Sequence, residues 1–110
     1  MHITGKTKDG TQTVGGCFLF YATHGVPVSL IVSELHSNNL MVDWVDFCIE
    51  AMKGEWTLGK AYTTLREAVG DMYTPAWIAQ WDAMMIGWCK LRAQGGYNEL
   101  HPVQTKEGEP

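Results

Sequence analysis

The chain has no closely spaced pair of cysteines or histidines. Zinc is held by ligands about two to four residues apart in knuckle-type sites, whereas Cys17, His24, His36 and Cys48 are 7, 12 and 12 residues apart. No metal and no other cofactor is expected. The three cysteines, Cys17, Cys48 and Cys89, are odd in number and lie 31 and 41 residues apart, which fits reduced core thiols in a cytoplasm better than a secreted disulfide framework. Charge is also scarce, at 18% of residues against about 25% in ordinary soluble domains. Eight Lys and Arg face twelve Asp and Glu, a net charge of -4, so a phosphate backbone would be repelled unless the cations gathered on one face. Nucleic acid is therefore disfavoured as a partner. Gly15-Gly16 is a bare pair with no following Lys-Ser or Lys-Thr, so no phosphate loop is present. Polar residues interrupt the longest apolar stretch before the roughly 20 residues that a bilayer requires. Residues Met1 to Gly16 include no apolar signal core, and neither export nor membrane insertion is expected.

What remains is the material of one globular domain: 110 residues, of which 45% are hydrophobic. Asp9-Gly10, between Thr-rich flanks, predicts a polar two-residue β-hairpin of type I′ over residues 1–16. Cys17 to Ala22 is a short apolar run without β-branched residues, and with Gly25 as a stop it is read as helix. Pro27 suits a first helical position, and Val28, Ile31, Val32 and Leu35 form one apolar face that ends at Ser37-Asn38-Asn39. In the next helix Trp44, Val45, Cys48, Ile49, Ala51 and Met52 span about 160° of the wheel, with Asp43, Asp46 and Glu50 on the opposite side. Thr57 caps a further helix, with a stripe of Leu58, Ala61, Tyr62, Leu65, Ala68 and Val69 that stops at Gly70. Thr74-Pro75 opens the last, which runs to about Ala93 before Gly95-Gly96. The expected fold is mainly α: a compact bundle of four to five helices over 17–93, a small N-terminal β-hairpin at 1–16, and a flexible acidic tail over 94–110.

Candidate chemistry is thin. Ser29, Ser33 and His36 share one helical face, where a hydroxyl and an imidazole could meet in a small enzyme or ligand pocket, although polar residues opposite an apolar stripe ordinarily face water. The helices at 43–53 and 57–69, joined by Gly54-Glu55-Trp56, have the lengths of a helix-turn-helix regulator. The first is acidic, however, and the second offers only Lys60 and Arg66 as cations. Asp43, Asp46 and Glu50 lack metal-loop spacing and opposed carboxylates, so their functional reading is electrostatic, a surface for docking a basic partner. Five tryptophans are an excess, and Trp dominates both cores and interface hot spots. Trp77, Trp81, Met85 and Trp88 form an apolar arc expected to meet a second chain as a homodimer interface, and Trp56 is either a helix staple or an exposed anchor.

These features together favour a cytoplasmic, non-enzymatic protein-binding module. Its expected contact residues are Asp43, Asp46, Glu50 and Trp56. Small acidic chains without an attached enzyme domain are also the kind that phages and mobile elements use to inhibit host proteins, an expectation that rests on frequency and on no residue.

Overall fold

The computed structural model describes residues 1–93, and the acidic tail expected over 94–110 lies outside them. The described residues form five helices and a three-stranded sheet near the N-terminus, so the fold is mainly α. The chain divides into two compact units, the first Met1–Pro75 and the second beginning at Ala76.

In the first unit, β1 (His2–Lys6) and β2 (Gln12–Gly15) make the expected hairpin. Its turn differs from the expected type I′. Of Asp9 and Gly10 only Gly10 has positive φ, at 91°. The Asp9 carboxylate binds the Thr7 hydroxyl and accepts the Thr11 N–H at 3.0 Å. The connection therefore widens to Thr7–Thr11, closed by Gly10 N–H to Thr7 O at 3.0 Å and Thr7 N–H to Thr11 O at 2.8 Å. A side-chain acceptor has outweighed the dipeptide's preference for a two-residue loop. The hydroxyl and amide that Asp9 accepts hold its carboxyl below its ordinary pKa, the Thr7 hydroxyl most of all.

Helix α1 (Cys17–His24) follows, started by Gly16 in the left-handed region (φ 83°) and stopped by Gly25 (φ 69°), whose N–H reaches Tyr21 O at 2.9 Å. Helix α2 (Val28–Ser37) buries Val28, Ile31, Val32 and Leu35, the four residues of its predicted face. Pro27 stands one residue earlier than expected, as the N-cap, and its carbonyl accepts from Leu30 and Ile31. Asn38 donates its side-chain amide to Glu34 O at 2.8 Å and Asn39 turns left-handed (φ 60°), which ends the helix as Asn residues do.

The turn leads into β3 (Leu40–Val42), a strand absent from the sequence-based expectation. It pairs with β2 in parallel, giving the order β1-β2-β3. Parallel strands require a crossover of a dozen or more residues, and here α1 and α2 supply it. The hairpin is thereby tied to the helices through the sheet. Helix α3 (Trp44–Lys53) then buries Trp44, Phe47, Cys48 and Ala51. Phe47 extends the predicted face, while Val45, Ile49 and Met52 are half-buried at its margins. Helix α4 (Leu58–Gly70), capped by Thr57 Oγ1 on Lys60 N–H at 3.1 Å, buries Ala61, Leu65, Ala68 and Val69. It packs on α2 and α3, and α1 packs on α2 and α3.

Helix α5 (Pro75–Ala93) begins at the predicted proline, and from Ala76 onward it belongs to the second unit. The rings of Trp77 and Trp81 stack at 6.5 Å.

Gly15 is fixed by contact. A Cβ there would lie 2.7 Å from Thr4 Cγ2 and 3.2 Å from His2 Nε2 on β1. Gly15→Ala should destabilise the fold by about 1–3 kcal/mol through overpacking. Adding Thr4→Ser, which removes that methyl but keeps the hydroxyl on Thr13, should recover part of the loss in urea denaturation.

Candidate functional site

Two strand-to-helix junctions lie side by side because β2 and β3 are parallel. In α/β folds, ligands occupy the region beyond the carboxyl ends of such strands, where helix N-termini present N–H groups. Here the chain's own acids fill it. Asp43 N–H donates to Val14 O at 2.8 Å and its side chain caps α3 by accepting Asp46 N–H at 3.1 Å. Asp46 in turn accepts Gly16 N–H at 2.9 Å, across thirty residues of sequence. A carboxylate bound to the start of α1 repels a phosphate from the same place. Glu50 pairs with Lys53 at 3.2 Å on the surface. The three carboxylates predicted to dock a basic partner therefore all have internal partners, which the helical wheel could not display.

Cys17 sits in this junction, almost wholly buried, with its thiol 3.5 Å from Val14 O and 3.8 Å from Met1 Sδ. Burial, aided by the Asp46 carboxylate, pushes its pKa up to about 12. A nucleophilic cysteine needs the opposite shift. Cys48 is buried on α3, and burial also raises Cys89. None of the three is in a disulfide. Among the described residues, no three His, Cys, Asp or Glu side chains come together as a metal site.

Trp56 is half-buried in an aromatic cluster. Its ring meets Phe18 edge-on at 5.1 Å, Tyr21 at 5.8 Å and Phe47 at 6.4 Å, and the Lys60 ammonium lies 4.2 Å from its centroid. Glu55, left-handed at φ 72°, aims the ring inward from the loop between α3 and α4. The ring thus packs on α1 and α3 and meets the start of α4 through Lys60. The same contact engages Lys60, one of two cations on the suggested recognition helix.

On α2, Ser29 and His36 are exposed and Ser33 is half-buried. His36 turns to the ring of Tyr73 at 4.8 Å, edge to face. On α5, Trp81, Met85 and Trp88 are 3%, 0% and 3% exposed, and Trp77 is half-buried. Three of the four side chains expected at a dimer interface are thus already withdrawn from water in a single chain. The residues α5 leaves exposed include Ala79, Ala83, Met84, Ile86 and Gly87. No helix among the described residues is long and apolar enough to cross a membrane.

Comparison with known protein families, curated proteins and solved structures finds no match to this chain.

One further surface comes from the sheet and was not anticipated. In register, Val42 pairs with Val14 and Val14 with Ile3, a single apolar row across the three strands. Val42 and Val14 are 2% and 4% exposed, but Ile3 is 50% exposed. All of β1 is exposed, and among the described residues no strand pairs with its outer edge. The signal available in the sequence was Leu40-Met41-Val42 after Asn39, three apolar residues too short to carry a period.

Trp56→Ala should cost about 3 kcal/mol in urea denaturation, whereas Lys60→Ala should cost only about 0.5 kcal/mol. The raised Cys17 value predicts a pH dependence. The folded chain holds the thiol neutral, so this contribution is complete below pH 9, the ordinary value. It declines as the unfolded chain ionises above that pH, until the folded thiol ionises near 12. Between pH 8 and about 10.5 the urea midpoint should fall more steeply for wild type than for Cys17→Ala.

Proposed function

We propose that this chain is a non-catalytic, cytoplasmic protein-binding module whose contact surface is the open sheet edge at β1. The observation that carries the reading is the apolar row Val42–Val14–Ile3, which is covered on two strands and reaches water on the third. An edge strand presents unpaired N–H and C=O groups, and an added strand satisfies them while its side chains extend the row. Isolated exposed aliphatic residues are ordinary on protein surfaces, but Ile3 is continuous with the core in register.

The potentially reactive groups favour binding over turnover. Cys17 and Cys48 are buried, and Asp43 and Asp46 hold the junction of β2, α1 and α3. For the same reason the acidic side of α3 is the weaker docking surface. Inhibition of a host protein by a phage or mobile element is a role consistent with a small chain that binds without chemistry. A second copy of the chain is one protein that the edge could receive.

The test is a photo-crosslinking phenylalanine in place of Ile3, introduced in the native cell. Ultraviolet light should produce a covalent protein adduct there, and none from the same residue at the exposed Thr63 of α4. Absence of an adduct at position 3 in the folded, expressed protein would remove the reading.

A further inference from the structure

The β1 edge is irregular in a way that defines its occupant. Its register against β2 runs Ile3 to Val14, Gly5 to Thr13 and Lys6 to Gln12, with a bulge between Ile3 and Gly5. Gln12 and Val14 are two apart on β2 and share a face of the sheet. Their partners Ile3 and Lys6 therefore share that face too, although they are three apart in sequence. The bulge converts an odd separation into a same-face pair, an isoleucine and a lysine about 7 Å apart along the edge.

Charge supplies the second half of the argument. The hairpin carries Lys6 and Lys8 against Asp9, in a chain whose net charge is -4. The Asp9 carboxylate is taken up by the turn's own Thr7 hydroxyl and Thr11 N–H. The edge is thus locally basic. A lysine and a bulge also obstruct indiscriminate pairing at an edge, because a strand laid beside Lys6 must accommodate the ammonium.

We infer that the β1 edge receives an extended segment of another protein carrying an apolar residue and a carboxylate two positions apart, the first against Ile3 and the second against Lys6. The inference rests on the protein-binding reading above and adds the chemistry of the partner. It also reverses the sign of the partner expected from the acidic helix, since this edge selects an acidic strand.

The test uses the full chain and two fluorescein-labelled, threonine-rich peptides. One carries a valine and, two residues later, a glutamate; the other has lysine in place of the glutamate. Amide spectra and fluorescence anisotropy at low salt should show shifts centred on residues 2–6. The glutamate peptide should bind about fivefold more tightly, the size expected for a solvent-exposed ion pair exchanged for a like-charge contact. Lys6→Glu should reverse the preference, and Ile3→Asp should abolish binding of both while amide signals from the helices stay in place. Equal binding of the two peptides at β1 would overturn the acidic occupant and leave the sheet-edge reading standing. Failure of both peptides to bind, despite a position-3 protein adduct in the cell, would likewise overturn the inference alone. Wild-type dimerisation that Ile3→Asp abolishes would make a second copy the occupant and would also overturn it.

Discussion

The first unit depends on a hydrogen bond between a backbone amide and a carboxylate thirty residues away. Gly16 N–H to Asp46, together with Val14 O to Asp43 N–H, fastens the exit of β2 to the exit of β3. Each bond answers a local need: Gly16 begins a helix whose first N–H groups have no intrahelical acceptor, and α3 requires a cap. Meeting both with two aspartates one turn apart aligns the parallel strands and sets α1 and α3 side by side. Gly16 fits because its φ of 83° is left-handed.

The aromatic cluster closes the other end of the same arrangement. Phe18 on α1 meets Phe47 on α3 at 5.5 Å, edge to face, and Trp56 from the following loop covers both. Polar bonds fix the register at the strand end, and ring packing supplies apolar burial along the helices. This division explains why the acidic residues of α3 are poor evidence for a docking surface. Two of them are structural, and the third pairs with Lys53 within its own helix.

Helices were legible in the sequence because their signals are local. The four buried residues of α2, the Thr57 cap, Pro75 and the glycine stop after α1 can all be read within a few positions. What escaped was non-local. A three-residue strand has too few positions to show alternation, and its parallel pairing with β2 depends on residues on either side of two intervening helices. The turn at Asp9-Gly10 escaped for a smaller reason, since side-chain hydrogen bonding decided between two loop lengths that the dipeptide alone permits. The sheet-edge surface was invisible as a result, because Ile3 stands out only once Val14 and Val42 are aligned with it. Trp81, Met85 and Trp88 are buried, but a helical wheel does not disclose what covers an apolar arc.

The span of the Gly16–Asp46 bond also has a temporal side. On a ribosome the hairpin and α1 emerge before their acceptor does, and at usual elongation rates the interval is on the order of seconds. During it β2 lacks β3, so the Ile3–Val14 pair is uncovered on both flanks. The nascent chain is therefore most open to capture by a foreign strand before residue 46 has left the ribosome, and slow translation during that interval would prolong the exposure.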